Sequence, residues 1–253
     1  MRIDVFLSES GLALSRTEAK GFISEGAVRV NGKVVTKPSF EVSGDEDIEL
    51  DRSSKKFVSR GGTKLEAALI DFELTVAGKK CLDIGASSGG FTDCLLRYGA
   101  EHVIAVDSGY GQMVDSLRCD SRVSVVENFN ARYMSRSDLE YTPELVVMDV
   151  SFISATYIFP AVRAVIDDGG DFVCLVKPQF EVGKSGLGKG GIVKNDKLRN
   201  MAVDNVISSA RSYGFELVKI IKSPIVGGDG NTEFLAHFRI GGGNCEKSNN
   251  NPQ

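Results

Sequence analysis

The chain contains no tryptophan and only two histidines, His102 and His237. So few imidazoles leave no basis for a histidine triad or a zinc cluster, and no metal is expected. The five cysteines (Cys81, Cys94, Cys119, Cys174, Cys245) are odd in number and scattered, without metal-ligand or redox spacing. Cys81 and Cys174 sit inside apolar runs and read as buried free thiols, which suits a reducing, cytoplasmic location. No apolar stretch approaches the roughly 18 residues that cross a bilayer. The opening Met1-Arg2-Ile3-Asp4 lacks the apolar stretch of a secretory signal, so no membrane partner is expected. Net charge is only −4, so charge as a whole does not announce a nucleic-acid partner and local placement must decide. What is present, 42% apolar and 25% charged residues over 253 positions, is a globular composition with room for one large and one small domain.

Three regions separate. Residues 1–58 form a compact α+β module. Leu12, Leu14, Ala19, Phe22 and Ile23 give a helical pattern, with Ser15 and Glu18 as a capping box. Gly26 to Val35 reads as a hairpin turning at Asn31-Gly32 in type I′ form, and Ile48 and Leu50 suggest a closing strand. Residues 52–64 carry Arg52, Lys55, Lys56, Arg60 and Lys64 and no acid; within them 59–63 is a basic, glycine-containing linker with Gly61-Gly62 as a hinge. Residues 64–240 alternate strand and helix signals, beginning with a helix whose stripe is Leu65, Ala68, Leu69 and Phe72. Strands are predicted at 80–84, 102–107, 122–126, 144–150, 171–177, 215–222 and 233–240, with a helix from Asp196 to Tyr213. Continuous apolar runs such as Leu145 to Met148 suit parallel strands covered on both faces. The order implies a doubly wound, Rossmann-like α/β sheet whose last strand is antiparallel and near one edge. The polar tail 241–253 reads as disordered.

Cys81-Leu82-Asp83-Ile84-Gly85-Ala86-Ser87-Ser88-Gly89-Gly90-Phe91 reads as a buried strand, a glycine turn and a helix. Asp107 ends the next apolar run 22 positions after Gly85. This is a nucleotide-type site, in which glycines admit the ligand to the backbone and a terminal carboxylate takes ribose hydroxyls. The spacing Asp-x-Gly-x-x-x-Gly-Gly is not the dinucleotide pattern G-x-G-x-x-G. It resembles motif I of S-adenosylmethionine methyltransferases. Gly85 and Gly89 serving only a tight turn, and Asp107 capping a helix, are the plainer alternatives. Gly183 to Lys189 spells the start of a phosphate-binding loop, but Gly190 stands where that motif needs Ser or Thr; a substrate loop, or a plain connection, fits better.

Ligands of open α/β sheets bind beyond the carboxyl ends of the strands. Asp149 ends the apolar run 145–148, Lys177 ends another strand and is held extended by Pro178, and Glu233 opens the antiparallel strand at the same end. Lys64 stands in the first turn of its predicted helix, where the dipole disfavours a cation. Helix capping for Asp149, a solvated strand end for Lys177 and surface placement for Glu233 and Lys64 are the alternatives.

Lys64, Asp149, Lys177 and Glu233 match, in order and context, the Lys-Asp-Lys-Glu tetrad of FtsJ/RrmJ-like ribose 2′-O-methyltransferases. Ser15 to Lys20, Gly26 to Gly32 and Ser39 to Leu50 resemble the S4 RNA-binding domain. Together with Val58 to Leu65, Asp149 to Ser154, Lys177 to Glu181 and Gly188 to Gly191, the chain resembles the TlyA family of ribosomal RNA methyltransferases, historically called hemolysins, over residues 1–240. The resemblance implies methyl transfer from S-adenosylmethionine to a cytidine 2′-hydroxyl of ribosomal RNA, in the large subunit and in some members the small. It also implies that Asp83, Gly85, Gly89 and Gly90 line the methionine end of the cofactor, with Ala86, Ser87 and Phe91 also expected to bind it. Asp107 is expected at its ribose, and Asn130 and Ala131 near adenine.

A ribose hydroxyl is a poor nucleophile and needs a base and alignment with the methyl. Lys177 is the expected base, with Asp149 orienting it and Glu233 positioning Lys64 and the ribose. Arg16, Lys20, Arg29, Lys33, Lys55, Lys56 and Arg60, with Lys184 and Lys189 of the substrate loop, are the expected RNA contacts, or else ordinary solvated charges. Three rivals stand beside this reading: a non-catalytic RNA-binding protein, a nicotinamide-dependent oxidoreductase and a membrane-active hemolysin.

Overall fold

The computed structural model describes all residues except 14, 25, 52–55, 229 and 242–253. Two compact units are present, Met1–Gly62 and Thr63–Gln253.

The first unit packs helices α1 (Ile3–Glu9) and α2 (Arg16–Ser24) with a small antiparallel sheet of β1 (Val28–Val30), β2 (Lys33–Val34) and β3 (Ile48–Leu50) in the order β2-β1-β3. The hairpin turns at Asn31 (φ 49°) and Gly32 (φ 74°), the two left-handed residues of the predicted type I′ turn. Glu18 N donates to Ser15 Oγ at 3.2 Å, capping α2. Helix α1 has no clear sequence signal, because its polar Asp4 breaks the apolar stripe. Asp4 is nevertheless fully buried beside Ile3 and Leu7. Burial raises its carboxyl, but hydrogen bonds from Arg2 and Arg16 outweigh that and hold it low. The core of this unit is Ile3, Leu7, Ala19, Phe22, Ile23, Val28, Val30, Val35 and Val42.

The second unit carries a seven-stranded sheet. Its strands are β4 (Lys80–Ile84), β5 (His102–Val106), β6 (Val123–Val126), β7 (Leu145–Met148), β8 (Asp171–Val176), β9 (Phe215–Lys222) and β10 (Phe234–Ile240), in the order β6-β5-β4-β7-β8-β10-β9. The first five in sequence pair in parallel, and β10 runs antiparallel to both β8 and β9. All seven predicted strands are present, and the last hairpin closes one edge with β10 inside and β9 outermost. Helices α3 (Arg60–Asp71), α4 (Gly90–Arg97), α5 (Asp115–Arg118), α6 (Phe159–Val165), α7 (Pro178–Glu181) and α8 (Asp196–Ser212) fill the connections. Residues 60–63, expected as linker, are helical, so Gly61-Gly62 lies in the first turn of α3 and Lys64 in its second.

Alternate strand residues explain the layering. Leu82, Ile84, Ile104, Val146, Met148, Phe172 and Cys174 share one buried face with Val162 and Val165 of α6 and Val203, Val206 and Ala210 of α8. The rings of Phe159, Phe172, Phe215 and Phe238 meet there with centroids 5.4–6.4 Å apart; truncating one to alanine costs about 3–5 kcal/mol. On the opposite face α4 packs on β4 and β5. The connections from β4 run towards β5 and β6, and the chain then returns to place β7 on the other side of β4. The crevice beyond the carboxyl ends of β4 and β7 is therefore the switch point of the sheet.

Candidate methyltransferase site

A cleft of about 550 Å³ opens at that switch point. It is lined by Gly85 and Ser87 after β4, Asp107 to Gly109 after β5, Phe129 to Arg132 after β6 and Asp149 to Ile153 after β7. Gly85 has φ +83°, and a Cβ there would stand 2.3 Å from the Asp149 carbonyl oxygen. A side chain would therefore clash with the neighbouring strand end and narrow the crevice.

Asp107 does not cap a helix. Its carboxylate accepts from Ser87 N at 2.8 Å and Gly109 N at 2.6 Å, which ties the glycine turn to the end of β5. The Ser87 hydroxyl donates to Gln112 Oε1 at 3.0 Å. Asn130 Oδ1 accepts from Arg132 N, and Ala131 lies beside it on the cleft wall.

The other expected cofactor residues are placed differently. Asp83 is fully buried beneath the turn, with Oδ2 accepting from Thr92 Oγ1 at 2.6 Å and Oδ1 without a hydrogen bond. Burial pushes its carboxyl up to about 7, further than the Thr92 bond pulls it down. Phe91 and Ala86 are buried and do not line the cleft. Gly89 caps α4 in the left-handed conformation, and Gly90 begins that helix.

The four charged residues form two ion pairs. Lys64 Nζ donates to Glu233 Oε2 at 2.6 Å, and the two side chains are 10% and 3% exposed, so neither is the surface charge that sequence alone allowed. Gly227 leaves room for this carboxylate, since a Cβ there would lie 2.4 Å from Glu233 Oε1. Lys177 Nζ lies 2.5 Å from Asp149 Oδ1, an ion pair without hydrogen-bond alignment, and donates to Ser151 Oγ at 2.7 Å. Lys177 is extended (φ −113°, ψ 96°) before Pro178, as its sequence context predicts.

The pairing of β8 with β10 relates the two ion pairs. Phe234 stands opposite Val176, so one step further Glu233 reaches the level of Lys177. Residues directly opposite on antiparallel strands point to the same face. Asp149 and Ser151 line the cleft, and Lys177 reaches it through them, whereas Lys64 and Glu233 are not among its lining residues.

Sequence reasoning gave no role to Ser151, Gln112, Thr92 or Arg132. A hydroxyl two positions beyond Asp149 was the available signal for Ser151. At the rim, Phe152 is 92% exposed with φ +65°, and the Arg132 guanidinium covers the Tyr157 ring at 4.9 Å.

Of the expected RNA contacts, Lys20, Arg29, Lys33, Lys56, Lys184 and Lys189 are exposed, and Arg60 is half-buried. Arg16 also holds buried Asp4 at 3.0 Å, so it has a structural task. Lys55 lies outside the described residues. No helix among the described residues is long and apolar enough to cross a membrane.

Residues 57–240 match the FtsJ-like methyltransferase family and residues 1–48 the S4 domain. A 16S/23S rRNA (cytidine-2′-O)-methyltransferase TlyA of Mycobacterium tuberculosis is 44% identical over 239 residues, covering 94% of this chain and 89% of that protein. Hemolysin A of Brachyspira hyodysenteriae is 43% identical over 241 residues, covering 95% of this chain and 100% of that protein. A solved Streptococcus thermophilus protein that carries the hemolysin name superposes with a TM-score of 0.77 at 42% identity, covering 96% of this chain and 89% of that one. The chain thus belongs to the FtsJ-like methyltransferase family, with an S4 domain ahead of the catalytic fold.

Proposed function

We propose that this protein methylates the 2′-hydroxyl of a cytidine in ribosomal RNA of the large subunit, with small-subunit RNA as a second acceptor, in the cytoplasm. The observation that carries this reading is Lys177 Nζ, held by Asp149 Oδ1 at 2.5 Å and Ser151 Oγ at 2.7 Å, two residues that line the same cleft as Asp107. The cleft suits S-adenosylmethionine: its glycine turn admits a ligand close to the backbone, and Asp107 stands where ribose hydroxyls are accepted. The bound cofactor supplies a methyl group activated by the adjoining sulfonium.

The residues of the chain do the rest. Asp107, Asn130 and Ala131 would hold the nucleoside part of the cofactor, and the glycine turn after β4 would take its amino-acid part. Lys177 would accept the proton of the 2′-hydroxyl while the cofactor supplies the methyl group to the ribose oxygen, general-base help worth roughly 10²–10⁴ in rate. Asp149 and Ser151 aim the Lys177 nitrogen. The buried Lys64–Glu233 pair, at the level of Lys177, helps to position the ribose. Exposed Phe152 offers a face on which the acceptor base stacks. The S4 unit brings the RNA, through Lys20, Arg29 and Lys33.

Lys177→Ala tests the assignment. Calorimetry with S-adenosylhomocysteine is expected to show wild-type binding, while tritiated methyl incorporation into ribosomal RNA is lost. Incorporation near the wild-type rate would refute Lys177 as the base.

A further inference from the structure

Two segments meet beside the cleft, the stretch from Asp149 to Tyr157 after β7 and the turn from Lys177 through α7 to Glu181 after β8. They touch at three levels. Lys177 reaches Asp149 and Ser151, and the Phe180 ring packs on Phe152 at 5.4 Å. Four residues beyond Lys177, the part-buried Glu181 carboxylate accepts from Ser154 Oγ at 2.5 Å through Oε2 and from Ala155 N at 2.9 Å through Oε1. Ser154 in turn caps the short helical turn Ala155–Tyr157, its Oγ accepting from Thr156 N at 3.2 Å. Phe152 between them is left-handed, and residues 149–154 lie outside the named strands and helices.

We propose that Glu181 is a positioning residue for methyl transfer: by clasping Ser154 and Ala155 it sets the loop bearing Asp149 and Ser151 against the turn bearing Lys177. The inference rests on the reading of Lys177 as the base. Burial raises the Glu181 carboxyl despite its two hydrogen bonds. A carboxylate offers two acceptors at fixed separation, which is what a hydroxyl and an adjacent backbone amide require. Alanine would leave Ala155 N without this acceptor and free the loop. Glutamine keeps the clasp, because its oxygen accepts from Ala155 N and its nitrogen donates to Ser154 Oγ, whose proton turns to Thr156 Oγ1, 2.8 Å away.

The test compares Glu181→Ala, Glu181→Gln, Ser151→Ala and the double variant Glu181→Ala/Ser151→Ala in tritiated methyl transfer to ribosomal RNA. The S-adenosylhomocysteine Kd and thermal unfolding are measured on each. For Glu181→Ala, kcat is expected to fall about tenfold or more, with the Kd and the KM for S-adenosylmethionine within about threefold of wild type. Glu181→Gln recovers most of kcat. The double variant is no slower than the slower single variant, because both act through the aim of Lys177. A wild-type kcat for Glu181→Ala, equal losses for Ala and Gln, or additive losses in the double variant would each overturn the proposal. If Glu181→Ala does not fold, Ser154→Ala decides: a several-fold loss of kcat supports the clasp and a wild-type rate overturns it. Lys177→Ala, run alongside, separates the two levels. Activity in that variant removes the base assignment, whereas its inactivity beside a fully active Glu181→Ala removes the clasp alone.

Discussion

Lys64 and Glu233 stand 169 positions apart in sequence and 2.6 Å apart in space, joined through Lys64 Nζ and Glu233 Oε2. A pair so buried contributes little net stability while intact, but losing one partner strands the other charge at a cost of about 3–5 kcal/mol. Lys64→Ala is therefore expected to lower the urea midpoint by that order and to reduce methyl transfer. Glu233→Gln keeps an acceptor for Lys64 and is expected to cost less. Equal midpoints for Lys64→Ala and wild type would show that the charges are solvated.

The glycine turn has its own test. Gly85→Ala adds a left-handed penalty of roughly 1–2 kcal/mol to a 2.3 Å clash with the Asp149 carbonyl. Lower stability and a large loss of S-adenosylhomocysteine affinity are expected together, read by thermal unfolding and calorimetry. Wild-type affinity in a folded Gly85→Ala protein would mean that the backbone here does not shape the cofactor cleft.

Asp83 ties stability to pH. Burial pushes its carboxyl up from 3.8 to about 7, so between these limits the folded chain holds a proton that the unfolded chain has released. Its contribution is full below about pH 4 and is lost as pH rises through about 7. Asp83→Asn removes this titration and leaves an acceptor for Thr92. Denaturation between pH 5 and 8 is expected to show a flatter stability profile for Asp83→Asn than for wild type. Parallel profiles would place the Asp83 carboxyl at its ordinary acidity.

The S4 unit is tested by salt. Replacing Lys20, Arg29 and Lys33 with alanine is expected to weaken ribosomal RNA binding. The slope of log K against log salt should become shallower by about one for each phosphate that is no longer neutralised. An unchanged slope would place the RNA elsewhere. Arg16 is left intact in this design because removing it exposes Asp4.

The fold was legible in sequence because its signals are local. Apolar runs marked the central strands β5, β7 and β8, alternation marked β10, Asn31-Gly32 marked the hairpin, and Ser15 marked the start of α2. The site was legible only in part. Asp149, Lys177 and Glu233 are placed by strand ends, so periodicity found them. Ser151, Thr92 and the Glu181 clasp depend on which loop turns towards which, and no local pattern carries that. Phe91 illustrates the converse error: next to the glycine turn in sequence, it faces the core because α4 rotates it away. Gly61-Gly62 resembles a hinge in sequence, yet no left-handed φ is required there and the helix runs through.

The central claim is chemical, that the acceptor is a cytidine ribose oxygen of ribosomal RNA. Its most direct test is to incubate unmodified ribosomal subunits with the protein and labelled S-adenosylmethionine, digest the RNA to nucleosides and identify the labelled product by mass spectrometry. Label in 2′-O-methylcytidine from large-subunit RNA, absent with Lys177→Ala, is the predicted result. Label confined to a base-methylated nucleoside, or no transfer to either subunit, would contradict it.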